Sequence, residues 1–203
     1  MNPTVFVVDD DPAMRESLSF LVGSVGLEVE CFATARDFLD RYDGRRGGCL
    51  VLDVRMPGMS GLELQERLAD RGIDIPIVMI TGFGDVPMAV RALKRGALDF
   101  IEKPFTDQDL LDRIHEALER DRNRRAERAR KEDIAARIAK LTPREHQVMD
   151  CVLAGKPNKV IAAELTLSPK TIEVHRARMM DKMQVASLAE LLQLVIGKQG
   201  PDA

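Results

Sequence analysis

Along the chain, hydrophobic and polar positions follow two regimes. In the first, short strand-like runs recur as TVFVV (4–8), EVECF (28–32), CLVLD (49–53), IPIVMI (75–80) and LDFIE (98–102). Runs of this length, bounded by polar residues, predict strands. The stretches between them carry helical spacing. In the first of these Leu18, Leu21, Val22 and Val25 share a face, with Asp11 and Pro12 as cap and first position. Strands alternating with helices predict a parallel sheet covered on both faces and joined by right-handed crossovers. The stretch DLLDRIHEAL (109–118), with an apolar stripe of Leu110, Leu111, Ile114 and Leu118, closes this first domain.

The second regime is helical throughout. ERDRNRRAERARKED (119–133) has almost no apolar residue but is rich in helix formers, and reads as a solvated helix or a flexible linker; direct nucleic-acid contact by its arginines is the alternative. Thr142, Pro143 and Glu145 then form a capping box opening a helix that Gly155 ends. Another helix starts near Asn158 and runs through Val160, Ile161 and Leu165. Ser168 and Pro169 open a third with Ile172, Val174, Met179 and Met183. The short turn between these two predicts a helix-turn-helix. The last helix carries Leu188, Leu191, Leu192, Val195 and Ile196, more apolar surface than a small domain requires. The expected divisions are 1–118, a charged helical linker at 119–137, and 138–203.

Composition narrows the function classes. A hydrophobic content of 45% suits a globular protein, and no apolar run approaches the ~20 residues of a membrane span. The start MNPTVFVVDDD meets acid too early for a secretory signal, so a cytoplasmic chain without a membrane partner is expected. Cys31, Cys49 and Cys151 are odd in number and lack paired spacing; reduced, mostly buried thiols are expected rather than disulfides or zinc ligands. Charge is asymmetric. Residues 1–118 hold 13 Lys+Arg against 21 Asp+Glu, whereas residues 119–203 hold 17 against 12, which points to an acidic polymer as partner of the second part.

The polar exceptions of the first domain gather at strand ends, where ligands of such sheets collect. Asp9 and Asp10 follow the first strand, Asp53 ends the third, Thr81 follows the fourth and Lys103 the fifth. Singly each has an ordinary reading as loop acid, turn residue or surface cation. Together they predict clustered carboxylates whose repulsion needs a cation, and hard oxygen donors suit Mg2+. A carboxylate so held can attack phosphorus to form an acyl phosphate, with Lys103 stabilising the transferring oxygens, and Asp53 is the natural nucleophile.

VVDDD, VLDVRMPGMSG, the Thr81 of MITGFGD and the Lys103 of DFIEKPF resemble, in order and spacing, the motifs of a two-component receiver domain over residues 4–118. The resemblance implies a flavodoxin-like five-stranded parallel sheet of order 2-1-3-4-5. It further implies Asp53 as phosphoacceptor from a sensor histidine kinase, and Mg2+ held by Asp9, Asp10, Asp53 and the Arg55 backbone carbonyl. Thr81 and Phe100 would be a switch pair, Lys103 the phosphate partner, and the Lys103–Pro104 peptide cis.

On the third helix of the second regime Lys170, Thr171, Glu173, His175, Arg176, Arg178 and Lys182 are polar or basic, suited to phosphates and base edges in a major groove. LTPRE and AGKPNKVIAAELTLSPKTIEVHRARMMDKM resemble the LuxR-type DNA-binding domain, and with the receiver the whole chain resembles FixJ-like transcription regulators. That resemblance implies Glu173, Val174 and Ala177 nearest the bases of double-stranded DNA, with Lys170, Thr171, Arg176 and Arg178 at the backbone. It also implies a homodimer when phosphorylated, RNA polymerase as a partner, and activation of transcription. Two rival classes are a phosphohydrolase with an aspartyl nucleophile and a phosphorylation-dependent protein-binding module without a DNA role. Arg55 argues against the hydrolase, because many such enzymes place an acid–base carboxylate there.

Overall fold

Strand β1 (Thr4–Val8) is buried along its whole length, as the run TVFVV requires when both faces of a sheet are covered. It lies between β2 (Glu28–Phe32) and β3 (Gly48–Asp53), and β4 (Ile77–Thr81) and β5 (Asp99–Glu102) continue the sheet in the order β2-β1-β3-β4-β5, every pair parallel. The computed structural model describes residues 3–82, 86–195 and 197. Contacts divide the chain into two units, Met1–Ala126 and Glu127–Ala203.

Alternation along the strands builds two cores in the first unit. Val5, Val7, Val51, Val78 and Ile80 pack with Leu18 and Val22 of α1 (Pro12–Ser24) and with Leu110 and Ile114 of α5 (Asp107–Ile138). On the other face Phe6, Val8, Leu50, Leu52 and Met79 pack with Phe38 of α2 (Ala35–Arg41), Leu64 and Leu68 of α3 (Gly61–Asp70) and Ala92 of α4 (Val86–Lys94). Each fully buried Leu, Phe or Ile contributes ~2 kcal/mol. The Asp11 carboxylate accepts from the Ala13 N–H at 2.9 Å and Pro12 opens α1, as the sequence indicates. β4 starts two residues later than IPIVMI suggests, because Pro76 has no N–H to enter the ladder, although its carbonyl accepts from Leu50 N at 2.9 Å.

The second unit is helical among its described residues. α6 (Pro143–Leu153) has the expected capping box, with Thr142 and Glu145 bonded reciprocally. α7 (Asn158–Leu165) ends at Thr166 in the left-handed conformation, φ 57°, and α8 (Pro169–Met183) begins behind the Ser168 cap. This is a helix-turn-helix. Ile161, Ile172, Met179, Met183 and Leu191 of α9 (Leu188–Val195) meet in one core with Val148 and Val152. Leu188 and Val195 of α9 pack against that core, whereas Ile196 lies outside the described residues. Residues 83–85 of TGFGDVPMAV do so too. Only Cys49 is a buried thiol: Cys31 is exposed and Cys151 half-buried, which corrects the expectation for both.

Candidate functional site

The strand ends bring together most of the side chains singled out by their positions. Asp9, directly after β1, and Asp53, the last residue of β3, are 1% and 5% exposed. Lys103, just past β5, lies between them, its Nζ donating to Asp9 Oδ2 at 3.0 Å and to Asp53 Oδ1 at 2.8 Å. The Arg55 N–H donates to Asp53 Oδ2 at 2.7 Å, and the Asp11 N–H to Asp9 Oδ1 at 2.9 Å. Backbone geometry sets the lysine: its N–H donates to the Thr81 carbonyl at 2.7 Å, and the Lys103–Pro104 peptide is cis.

Burial pushes the Asp53 carboxyl above the ordinary aspartate range, against the opposing pull of Lys103. Burial alone would lower the Lys103 pKa, but its hydrogen bonds to Asp53 and Asp9 outweigh that and keep the ammonium charged. The site therefore sets two buried carboxyl groups against one ammonium, so a further cation is needed before it receives a group that brings its own negative charge.

The three-carboxylate cluster expected from VVDDD and Asp53 resolves differently. Asp9 and Asp53 are buried and bridged by Lys103, whereas Asp10 is exposed. Among the described residues no three His, Cys, Asp or Glu side chains are gathered as metal ligands. The donor chemistry still fits Mg2+, which needs only one or two carboxylates beside carbonyl, water and phosphate oxygens.

Thr81 is fully buried at the end of β4, inside the strand rather than after it. Phe100 is half-buried on β5 and pairs in register with Met79; since Met79 and Thr81 alternate to the same side, Phe100 and Thr81 share a face of the sheet. Gly61 is the last residue of VLDVRMPGMSG, and its place there has a steric reason. A Cβ there would stand 2.3 Å from the Asp53 carbonyl oxygen, so only glycine lets α3 start against the end of β3. Ser60 and Glu63 cap that helix reciprocally.

In the second unit α8 presents Lys170, Glu173, Val174, Ala177 and Arg178 outward, with Thr171 half-buried beside the Ser168 cap. Val174, one of the apolar residues of this helix and one that the family resemblance sets nearest the bases, is 44% exposed. Three residues assigned to the outer face from sequence are drawn inward. His175 is half-buried, its Nδ1 buried and without a partner among the described residues. Arg176 Nη1 donates to Asn158 Oδ1 at 3.1 Å, and Lys182 Nζ meets Glu145 Oε2 at 2.6 Å, tying α8 to α6.

The sequence reading missed Asp121. It lies in the charged run that reads as linker, yet it is 2% exposed and accepts from the Gly48 N–H at 2.9 Å and from Arg125 Nε at 2.7 Å, with Arg124 also bound. Arg125 in turn donates to the carbonyls of Gly44, Arg45 and Arg46. The start of the supposed linker is therefore fastened to the start of β3, whose far end is Asp53.

Comparison with known proteins accounts for both units. Residues 5–115 match the response regulator receiver domain family, and residues 139–195 match the luxR family of bacterial regulatory proteins. The transcriptional regulatory protein FixJ of Bradyrhizobium diazoefficiens is 50% identical over 192 residues, 95% of this chain and 94% of that protein. The response regulator protein TmoT of Ectopseudomonas mendocina is 46% identical over 190 residues, 94% of this chain and 86% of that protein. Among solved structures, the response regulator StyR superposes with a TM-score of 0.91 at 48% identity, covering 98% of this chain and all of that one. Full-length FixJ from B. japonicum gives 0.60 at 49% identity, with 96% of each chain covered. The described residues include no helix long and apolar enough to cross a membrane. With both family matches and relatives of this identity over nearly its full length, the chain belongs to the FixJ-like two-component response regulators and is a phosphorylation-dependent regulator of transcription.

Proposed function

We propose that the chain accepts a phosphoryl group from the phosphohistidine of a sensor histidine kinase onto Asp53, forms a homodimer in response, and then binds double-stranded DNA and engages RNA polymerase to activate transcription. The observation that carries this reading is the Asp53 carboxylate itself, buried at the end of β3 and flanked by the Lys103 ammonium at 2.8 Å and the Arg55 N–H at 2.7 Å. An Asp53 oxygen attacks phosphorus; the new O–P bond forms as the N–P bond breaks, and its electron pair returns to the kinase imidazole. Lys103 stays beside the transferring oxygens and offsets their charge. Mg2+, held by Asp9, Asp10, Asp53 and the Arg55 carbonyl, would supply further neutralisation of the phosphoryl group.

The phosphoryl group adds a charge of about −1.5 to −2 with strong acceptor oxygens. The Thr81 hydroxyl moves to meet them, and Phe100, on the same face, turns into the space it leaves. The altered surface includes α4 and β5, where Val90 and Leu93 are 42% and 44% exposed and Phe100, on the α4 face of the sheet, is half-buried, apolar positions suited to a second copy of the receiver. Moving such an equilibrium from 1:99 to 99:1 takes ~5.5 kcal/mol of differential stabilisation. In the second unit α8 enters the major groove, its exposed Glu173, Val174 and Ala177 toward the bases and Lys170, Thr171, Arg178 and the half-buried Arg176 toward the phosphates.

Phosphate is accepted stoichiometrically rather than turned over, since Arg55 stands where a hydrolase of this chemistry needs a carboxylate. The protein acts in the cytoplasm, where its DNA is. Intact-mass measurement after treatment with a small acyl phosphate donor and Mg2+ tests the reading: wild type gains one phosphoryl group and Asp53→Asn gains none. Equal gain in both would remove Asp53 from the account.

A further inference from the structure

Among the described residues of the second unit, three basic side chains bind a side chain outside their own helix or turn, and their acceptors differ. Lys182 on α8 meets the Glu145 carboxylate on α6 at 2.6 Å. Lys156, in the turn before α7, meets both oxygens of Glu164 within α7 at 2.9 and 2.7 Å. Each of these pairs cancels a positive charge. Arg176, midway along α8, donates instead to the neutral amide oxygen of Asn158, the first residue of α7. That bond spans the two helices of the helix-turn-helix.

A neutral amide fixes a guanidinium without cancelling its charge. It engages one of five N–H donors, leaving the others for a second acceptor. Among the described residues Arg176 has no carboxylate partner, and it adjoins the exposed Ala177 and Arg178. An acceptor whose task was only to fasten α7 to α8 would serve better as a carboxylate. An aspartate at this position would form a charge-assisted bond and would also suit the positive end of α7.

We propose that Asn158 is a positioning residue for DNA binding: its amide oxygen orients the Arg176 guanidinium toward a backbone phosphate while leaving that charge in force. The proposal rests on the DNA-binding reading given above. It opposes two quantities that a structural role would move together, because a carboxylate at 158 should hold or raise the stability of the unit while weakening DNA binding.

The test uses the full-length chain, treated with a small acyl phosphate donor and Mg2+, and a labelled DNA duplex of mixed sequence titrated by fluorescence anisotropy at several salt concentrations. Asn158→Asp should melt no lower than wild type yet lose about tenfold in affinity, with the slope of log affinity against log salt shallower by about one. Asn158→Ala should lose affinity severalfold and keep the wild-type slope, since only orientation is removed. Arg176→Ala should show the reduced slope itself, and adding Asn158→Asp to it should change little more. If Asn158→Asp binds as wild type does, or weakens binding equally with and without Arg176, the proposal is overturned while the DNA-binding reading stands. If wild type shows no salt-dependent affinity at all, that reading fails and takes the proposal with it.

Discussion

Glu145 is the ionisable group whose environment makes the sharpest quantitative demand. It is the third residue of α6, only 2% exposed, accepting from Lys182 Nζ at 2.6 Å and from the Thr142 N–H at 2.9 Å. Those bonds, Lys182 first, hold its carboxyl down at about 2 from an ordinary 4.5. At ~1.4 kcal/mol for each tenfold change in proton affinity the drop corresponds to about 3 kcal/mol. Lys182 is 33% exposed, so solvent screening reduces this to about 1–2 kcal/mol. Glu145→Gln should cost about that amount, since glutamine keeps an acceptor for the Thr142 N–H and water can solvate the released ammonium. Lys182→Ala should cost more, about 3–4 kcal/mol, because it leaves a buried carboxylate without its counter-charge. Urea unfolding of the full chain reports this through the methyl signals of Met149, Met179 and Met183, all buried in the second unit. The carboxyl titrates lower folded than unfolded, so the pair stabilises above about 4.5 and its contribution is lost as pH falls from there through about 2. The reasoning is refuted if Glu145→Gln costs as much as Lys182→Ala, or if its cost is unchanged at acid pH.

Three further outcomes follow from the receiver unit. Gly61→Ala should lower its stability by several kcal/mol and disturb Asp53, because the added carbon stands 2.3 Å from the Asp53 carbonyl; Tyr42 fluorescence during urea unfolding measures the loss. Asp121→Ala should cost about 2–3 kcal/mol by stranding the buried Gly48 N–H and two guanidinium groups, and hydrogen exchange at Gly48 should accelerate. Asp53→Asn should raise the melting temperature of the receiver at neutral pH, since burial disfavours the charge that it removes; a lower melting temperature would contradict the direction of the Asp53 shift.

What could be read in advance, and what could not, divides along physical lines. β1 is a continuous short run closed by acidic residues, so its bounds are a local property of the chain. Asp9, Asp53 and Lys103 stand out because each interrupts or ends an apolar run where a buried sheet has no structural use for charge. Asp121 sends no such signal. It is one acid in a charged run, and its purpose is an N–H donor 73 positions away. The same run reads equally as flexible linker, yet it is helical to Ile138, supported by pairs such as Arg128–Glu132 and Arg137–Asp133 at i,i+4 spacing. Helical periodicity likewise places Lys182 on the outer face of α8, because a three-dimensional partner such as Glu145 is invisible to it.

The central claim is that phosphorylation of Asp53 is the switch. Sedimentation and retention of genomic DNA fragments, measured with Mg2+ before and after treatment with a small acyl phosphate donor, test it on wild type and Asp53→Asn together. The account predicts that treated wild type alone becomes a dimer and retains DNA, the retained fragments identifying the operator. Equal behaviour of the two proteins would contradict it.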